Sequence, residues 1–348
     1  MRIARETLYG KLKLVSPGLS PREFIEQSSC FVFKDGQVVT FNDEIACRIE
    51  SGLSITGAVQ SNLLLEILEK LPDDELDVLD DGDGELRFKG KGRNFSVTRD
   101  ASIFLPVDRV ENPEKWRSLP DGFLQAIGLV GHCVSGDESK FVLTCVNLEA
   151  EWVEACDNYQ AMRCAISTGL KRSVLVRGAS IAHIVGLGMS EISLTKNWVH
   201  FRNEAGLVFS CRRFREDYPD LAPLLDVEKG HPITLPKGLS DATERAAIFA
   251  KDNSGDTVVK VILDGKRHKL RISGQGVTGT YNETKRTTYD GPRIEFLISP
   301  GLLRHVSDNY SDAEISETKL KVVGGSWSYA TVLGAKSAEE PEEEGGEE

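Results

Sequence analysis

Residues 59–99, VQSNLLLEILEKLPDDELDVLDDGDGELRFKGKGRNFSVTR, contain a pattern that occurs twice more along the chain. The pattern predicts a short amphipathic helix followed by three strands. Stretches that begin at Val176 and Ile298 have the same order of apolar helix, break and strands. When Val59, Val176 and Ile298 are placed in one column, two further columns of apolar residues coincide: Leu64, Ile181 and Leu303, and Ile67, Ile184 and Val306. Spacings of 117 and 122 residues therefore predict three copies of one unit.

Each copy also has a first half, for which the sequence predicts a helix and a hairpin. In the first copy, residues 20–23 (SPRE) match a capping box with proline at the first helical position, which predicts a helix that begins at Ser20. Asp35-Gly36 separates two alternating apolar runs and predicts a hairpin.

The third copy has the same helix and hairpin signals, and in the second copy the turn signal is weaker. Asp264-Gly265 predicts a hairpin, and the helix LSDATERAAIFAK before it has Ser240 as its predicted N-cap. In the second copy the predicted helix is DGFLQAIGLVGHCV and the predicted strands are KFVLTCVNL and AEWVEAC. The sequence thus predicts an α+β fold of three pseudo-repeated domains, each with two helices packed on antiparallel sheets.

Proline and charge gather in residues 107–120 and 217–236, where domain boundaries are expected. A chain of 348 residues is too long for one ordinary core, which agrees with several domains. The predicted domains are residues 1–117, 118–230 and 231–335. Residues 336–348 hold seven glutamates and one lysine, which is half of the net charge of −12, and they predict a disordered acidic tail.

Composition narrows the class of protein. Apolar residues make up 40% and charged residues 28%, and no apolar run approaches the ~20 residues of a membrane span. The amino terminus has no apolar segment that ends in a small-residue cleavage site, so we expect a cytoplasmic protein. Seven cysteines without a CxxC pair argue against a disulfide framework or a zinc site, and we expect them to be reduced and mostly buried.

The motifs that would indicate an enzyme or a cofactor are weak or missing. Residues 274–279 match GxGxxG, but the Thr- and Tyr-rich residues that follow predict strand or loop instead of the helix that a dinucleotide site requires. The acidic run at 73–85 lacks the spacing of a calcium loop, so a solvated hairpin is favoured. The six histidines have no metal-binding spacing, and no nucleophile motif occurs. We expect no metal, no cofactor and no catalytic residue.

Basic residues on or beside the predicted helices form the most informative set. For any one of them a solvated surface charge is the more common outcome. As a set on corresponding elements, they predict a surface that faces phosphates without reading sequence. The predicted DNA-binding residues are Arg22, Arg177, Arg245, Lys251 and Arg304.

In its three-fold repeat and in several specific stretches, the chain resembles the bacterial sliding clamp, the β subunit of DNA polymerase III. The resemblance covers nearly the whole chain up to about Gly334, and the three-fold doubled unit is that family's architecture. The stretches that support it are FKGKGRNFSVTR at 88–99, RFREDYPDL at 213–221, ERAAIFAKDNSGDTVVKVIL at 244–263 and IEFLISPGLLRHV at 294–306. The resemblance implies a head-to-tail dimeric ring around duplex DNA, with helices inside. Arg22 then matches a DNA-contacting arginine of the family, and Arg177 lies close to a basic position.

The resemblance also implies a pocket that binds a short peptide of the polymerase and of the clamp loader. The family's Thr-Asp-Gly-His-Arg-Leu segment is here residues 156–161, CDNYQA, so only Asp157 is kept, and the acidic tail replaces the family's Met-Pro-rich carboxy terminus. These departures indicate a divergent, phage-like member with an altered partner peptide. The predicted pocket residues are Cys156, Asn158, Tyr159, Gln160, Ala161, Leu224, Leu302, Val332 and Leu333.

Two functions follow from this resemblance. The first is a non-enzymatic processivity factor, a homodimeric ring that tethers a replicative polymerase to double-stranded DNA. The alternative is a clamp-fold scaffold or inhibitor that does not encircle DNA. The repeat pattern is common to both, so the sequence leaves both open.

Overall fold

A computed structural model describes residues 1–80, 82–226, 230–250 and 257–334. By its internal contacts the chain divides into two compact units. The first is Met1–Glu154 with Ile166–Tyr218, and the second is Ala155–Ala165 with Pro219–Glu348. The predicted domain boundaries and the predicted dimer stay predictions. Lys251 and the predicted acidic tail lie outside the described residues.

The same order of elements occurs three times. The first copy comprises β1 (Arg2–Ala4), α1 (Arg5–Val15), β2 (Cys30–Lys34), β3 (Gln37–Phe41), β4 (Ile45–Glu50), β5 (Gly57–Gln60), α2 (Ser61–Lys70), β6 (Glu75–Asp80), β7 (Glu85–Gly90) and β8 (Arg93–Asp100). The second comprises β9 (Arg117–Ser118), α3 (Phe123–Val130), β10 (Cys145–Leu148), β11 (Trp152–Cys156), β12 (Gln160–Ala165), β13 (Val174–Arg177), α4 (Gly178–Gly186), β14 (Glu191–Leu194), β15 (Trp198–Arg202) and β16 (Val208–Arg212).

The third copy follows a short helix, α5 (Ala222–Leu225), and a strand, β17 (His231–Thr234). It comprises α6 (Leu239–Phe249), β18 (Val259–Asp264), β19 (Lys269–Gly276), β20 (Gly279–Arg286), β21 (Ile294–Ile298), α7 (Pro300–Asn309), β22 (Asp312–Ile315), β23 (Lys319–Val323) and β24 (Trp327–Val332). With β17 as the leading strand of the third copy, each copy is therefore strand, helix, four strands, helix, three strands.

The second helix of each copy begins at the same aligned position. The starting residues Ser61, Gly178 and Pro300 are separated by the spacings that the sequence predicts. The predicted core positions Leu64, Ile181 and Leu303 are all buried, as are Ile184 and Val306. In the first copy the next buried position is Leu68, whereas Ile67 is only half-buried. The three-fold repeat is confirmed, with a shift of one residue at this point.

The described strand pairs are antiparallel. In the first unit, twelve strands pair in the order β1-β6-β7-β8-β5-β2-β3-β4-β16-β15-β14-β9, and β10 pairs with β13 and with β11. In the second unit, β12 pairs with β24, and the ladder continues through β23, β22 and β17. A separate sheet of that unit has the order β20-β19-β18-β21.

The predicted hairpins form where Asp-Gly pairs stand. Lys34 pairs with Gln37 across Asp35-Gly36, whose positive φ values of 52° and 75° suit the mirror-image turn of a two-residue hairpin. Asp264 pairs with Lys269, so the second hairpin has a four-residue loop. The GxGxxG stretch also lies in a hairpin, because Gly276 at the end of β19 pairs with Gly279 of β20. No helix follows it, and the dinucleotide reading fails on this geometry.

Three local predictions were wrong. Residues 20–29 form bends and turns, because the Ser20 hydroxyl donates to the Arg22 carbonyl and does not cap a helix. The first helix is instead α1, which buries Leu8, Leu12 and Val15 at helical spacing. Helix α6 begins after Gly238, whose φ of 71° fits glycine, so Ser240 is not its N-cap. Residues 138–144 form a 3₁₀ segment. Of the strand predicted for KFVLTCVNL, only the part from Cys145 to Leu148 is a strand, β10.

The remaining expectations concern cysteines, metals and membranes. All seven cysteines are free thiols and buried, as predicted. Within the described ranges, no cluster of three or more His, Cys, Asp or Glu side chains could hold a metal ion. None of the helices described is both long and apolar enough to cross a membrane.

Candidate functional site

Some of the predicted partner-peptide residues meet in the second unit, where β12 pairs with β24. Gln160 is paired with Thr331 and Ala161 with Ala330. The carbonyl oxygen of Tyr159 accepts hydrogen bonds from the Val332 backbone nitrogen at 2.8 Å and from the Thr331 hydroxyl at 3.0 Å. The structure therefore brings residues 159–161 beside the end of β24.

Asp157 shapes the turn that leads into β12. Its Oδ1 accepts from the backbone nitrogens of Tyr159 and Gln160 at 2.6 and 2.8 Å. Its Oδ2 accepts from the Gln160 side-chain amide at 3.1 Å. A carboxylate that satisfies two consecutive backbone donors fixes a tight turn. The turn leaves the Tyr159 ring 59% exposed.

Burial divides the predicted pocket residues into two groups. Cys156, Ala161 and Leu333 are buried and support the sheet instead of facing a partner. The exposed or half-exposed members are Asn158, Tyr159, Gln160, Leu224, Leu302 and Val332. The side chains available to a partner peptide are therefore mainly those of the turn, of helix α5 and of helix α7.

Helix α5, which contains Leu224, packs against β12 and β24. The Lys319 ammonium of β23 donates to the carbonyls of Pro223 and Asp226 at 2.5 and 3.0 Å and so holds both ends of this short helix. Leu302 lies in the first turn of α7. Among the described residues, no hydrogen bond or strand pair connects Leu302 to the other predicted pocket residues.

The cavity beside α5 is lined by residues that the sequence did not single out. It has a volume of about 420 Å³. Leu225 of α5, Arg163 of β12 and Trp327 of β24 contribute to its walls, with Val323 at the β23–β24 turn. Val323 is 63% exposed although it is apolar. The one sequence signal that could have found this cavity is the Gly324-Gly325 turn next to that valine.

An aromatic cluster positions α7 against β24. The His305 ring lies 5.9 Å from the Tyr329 ring, and Tyr310 at the end of the helix lies 5.1 Å from Trp327, measured between centroids. The Tyr329 hydroxyl donates to the side-chain oxygen of Gln160 at 3.0 Å. Aromatic pairs at these separations stabilise the contact beyond simple burial. Packing of α7 thereby reaches the first residue of β12.

The predicted DNA-binding arginines differ in how far they are already paired. Arg177 donates to both carboxylate oxygens of Glu138, at 2.8 and 2.6 Å, and its guanidinium lies 5.1 Å from the centre of the Phe141 ring. This contact lowers the pKa of Glu138 and raises the pKa of Arg177. The Arg177 side chain is only 13% exposed.

Arg245 and Arg304 also have carboxylate partners. Arg245 of α6 contacts Glu283 of β20 at 2.7 Å and the Tyr281 hydroxyl at 2.8 Å. Hydrogen bonds from Tyr281 and Arg245 lower the pKa of Glu283 to about 2. Arg304 of α7 lies 3.6 Å from Glu244 of α6.

Arg22 is different, since it forms no ion pair with any residue of the described ranges. It lies on the exposed bend at 20–29, next but one to Phe24, whose ring is 84% exposed. The α-helices of the described chain carry six basic and six acidic side chains, so they have no excess of positive charge.

Solved structures of bacterial clamps match the architecture along almost the entire chain. A DNA polymerase sliding clamp from Bacillus subtilis superposes with a TM-score of 0.79 and 16% identity, covering 97% of this chain and 99% of that one. The chain has the sliding-clamp fold. A DNA polymerase III beta chain from Streptococcus pneumoniae gives a TM-score of 0.81 at 17% identity, covering 96% and 99%.

The sequence match to a curated clamp is more limited. The beta sliding clamp of Rickettsia felis is 25% identical over 252 residues, which is 68% of this chain and 65% of that relative. The aligned part thus spans just under two thirds of the relative's length. No family model matches the chain. The resemblance to sliding clamps predicted from the residues is confirmed, at low identity.

Proposed function

We propose that this chain is a DNA sliding clamp, a non-catalytic processivity factor that tethers a replicative polymerase to duplex DNA. The observation that supports it is the correspondence of all three repeats with clamps from Bacillus subtilis and Streptococcus pneumoniae over at least 96% of the chain. On this proposal the chain acts as a homodimer, and a clamp loader opens and closes the ring.

Open strand edges support the ring. Strand β20 pairs only with β19, so all eight of its residues have one free edge in the described chain. Only the last two residues of β8 pair with β5, which leaves residues 93–98 open on that side. Long unpaired edges are normally covered. Head-to-tail pairing of β8 in one copy with β20 in the next would cover both.

Apolar side chains beside these edges favour the same contact. Helix α6 packs against β20 and exposes 62% of Ile248. Phe95 of β8 is half-buried and stacks on Phe88 at 4.6 Å between centroids. An interface between copies needs such an apolar centre with polar surroundings.

Paired arginines are compatible with a ring. A closed ring is held on DNA by topology, so it needs no strong phosphate contacts, and strong contacts would slow sliding. Arg177, Arg245 and Arg304 then contribute a weak, screened field, while Arg22 is free to approach a phosphate. We expect a small number of phosphate contacts and therefore a shallow dependence of affinity on salt.

Retention on circular DNA tests the proposal. The protein is incubated with nicked circular DNA, with and without a bacterial clamp loader and ATP, and passed through a sizing column. A ring co-elutes with the circle and is lost when a restriction enzyme linearises it. Retention that survives linearisation would contradict the topological link.

Solution mass tests the dimer separately. A dimer has about 77 kDa, twice the chain mass of 38.3 kDa. Ile248→Arg on α6, which packs against β20, should shift the mass to that of one chain. Ile262→Val, a mild change on β18, which is separated from β20 by β19, is the control and should leave the dimer intact. A monomeric wild type at micromolar concentration would overturn the dimer.

A second candidate function is a clamp-fold scaffold that does not encircle DNA. The equal number of basic and acidic side chains on the helices favours it. A scaffold would give the dimeric or monomeric mass without any retention on circular DNA. The two experiments together therefore separate the candidates.

A further inference from the structure

A second cavity, in the first compact unit, has no role in the proposed function. Its volume is about 370 Å³, within the range of about 300–1,000 Å³ that small-molecule sites occupy. Val39 and Phe41 of β3 form an apolar wall, and Val107 and Val110 form another. Val107 and Val110 also pack on the core cluster that contains Phe41, so the segment around 107–112 covers this face of the sheet.

Strand register places two polar groups on the same face as the apolar wall. Arg48 of β4 is paired with Val39 of β3, and Ala46, two residues earlier, is paired with Ser210 of β16. Residues two apart on a strand share a face, and cross-strand partners share it too. Arg48 and Ser210 are therefore diagonal neighbours, and both line the cavity.

The Arg48 guanidinium lacks a counter-charge. Its Nη1 donates to Asn112 Oδ1 at 2.8 Å, and none of the described ion pairs includes it. Burial lowers the pKa of Arg48, as expected for a cation without a carboxylate partner. At the rim, Lys34 is paired with Asp108 at 3.4 Å, and Asp35 is exposed on its turn. An oxyanion inside the cavity would offset the desolvation of the guanidinium.

Ser210 presents its oxygen as an acceptor. The Ser210 hydroxyl lies 2.8 Å from His200 Nδ1, and His200 Nε2 lies 3.0 Å from the Thr195 hydroxyl. The Thr195 proton goes to the Trp198 carbonyl or to Glu111, so Thr195 accepts from Nε2–H. His200 then accepts at Nδ1 from the Ser210 hydroxyl. The lone pairs of Ser210 remain for a donor in the cavity.

We propose that this cavity binds a small organic acid, with its carboxylate on Arg48, its apolar body between Val39 and Val110, and a hydroxyl or amino donor on Ser210. The planar guanidinium suits a carboxylate, because Nη1 alone is used by Asn112 and its other nitrogens are left to bind two oxygens. The apolar walls exclude a bare inorganic anion as the best fit, since it would leave them uncovered.

Binding of 4-hydroxybenzoate to the full chain tests the proposal. Calorimetry and protein-detected NMR compare it with 4-hydroxybenzamide, which lacks the charge, and with benzoate, which lacks the donor. Arg48→Met should weaken 4-hydroxybenzoate at least about 10-fold. Ser210→Ala should weaken 4-hydroxybenzoate about 5-fold and benzoate less than about 2-fold. The matched control is Arg202→Met, which removes a strand arginine already paired with Glu191 and should leave binding unchanged.

A second variant guards against misfolding of Arg48→Met. Val110→Trp fills the cavity from its covering segment while Arg48 stays in place, and it should abolish binding. The proposal is overturned if wild type binds none of these acids saturably up to about 10 mM, if the neutral amide binds as well as the acid, or if Val110→Trp binds like wild type.

Discussion

Arg177 and Glu138 form a two-pronged ion pair, with nitrogen–oxygen distances of 2.8 and 2.6 Å. The guanidinium that the sequence suggests for DNA is thus already occupied by a carboxylate from the same chain. Because of this pairing, the positive potential near Arg177 can be raised by removing an acidic side chain, without adding a basic one.

Glu138→Gln should strengthen binding to a duplex oligonucleotide. Removal of the exposed Glu138 carboxylate leaves the Arg177 charge uncompensated, and we expect about 2- to 5-fold tighter binding at low salt, with a smaller gain as salt screens the charge. Fluorescence anisotropy with a labelled duplex measures it. Glu191→Gln, which releases Arg202 on the sheet, is the control. Equal strengthening by both variants would assign the effect to net charge alone.

The Glu283 carboxylate should stabilise the second unit in a pH-dependent way. Its pKa is about 2 in the folded chain against 4.5 for the ordinary group, so its contribution is full above about pH 5 and is lost as the pH falls toward 2. Glu283→Gln should cost roughly 1 kcal/mol at pH 7 and less at pH 3.5, measured by urea unfolding.

Glu244→Gln gives the matched comparison. Its contact with Arg304 is longer, 3.6 Å, and both side chains are substantially exposed. The change should cost less than about 0.5 kcal/mol. A Glu283→Gln effect that stays constant between pH 7 and 3.5 would refute the assigned ion pair.

Acid should destabilise the first unit through His200. Burial lowers the pKa of His200 to about 4. Between about pH 6.5 and pH 4, His200 is therefore protonated in the unfolded chain and neutral in the folded chain. Stability therefore falls as the pH drops through that window. His200→Gln should be less stable at pH 7 by about 1–3 kcal/mol, because the bonds to Ser210 and Thr195 are altered. The stability that the His200→Gln variant loses between pH 7 and pH 5 should be smaller than the stability that the wild type loses over the same range.

Tyr159→Ala should separate partner binding from stability. The ring is 59% exposed on the turn before β12, so its removal should leave the unfolding midpoint within about 0.5 kcal/mol of wild type. If the turn is the docking site, binding of peptides from a cognate polymerase should weaken at least about 10-fold. Leu333→Asp is a poor probe, because Leu333 is buried and a charge there should cost several kcal/mol. Unchanged peptide affinity of Tyr159→Ala would remove the turn from the docking site.

The repeat could be read from the sequence because it depends on local pattern. The columns that contain Leu64, Ile181 and Leu303 follow from helical periodicity, and the Asp35-Gly36 hairpin follows from turn chemistry. The helix predicted at Ser20 failed for a tertiary reason. Leu8, Leu12 and Val15 offer a longer apolar stripe just before it, and burial of that stripe outweighs a cap.

The electrostatics of the candidate site could not be read in this way. Glu138 is 39 residues from Arg177, and Glu283 is 38 residues from Arg245. Such pairs depend on which strand lies beside which helix in the fold, and the local sequence pattern does not predict this arrangement. The Arg48 cavity was missed for the same reason, since its wall joins β4 to Ser210 across 162 positions of chain.

The seven sequestered thiols make this chain a convenient platform for labelling. Burial raises the pKa of Cys145 to about 11 and that of Cys211 to about 12, so neither forms much thiolate at neutral pH. A single cysteine introduced at the exposed Asn62 would then be the one position to react with a maleimide dye. Rotation and spacing of individual molecules could be followed by fluorescence without first deleting any native cysteine.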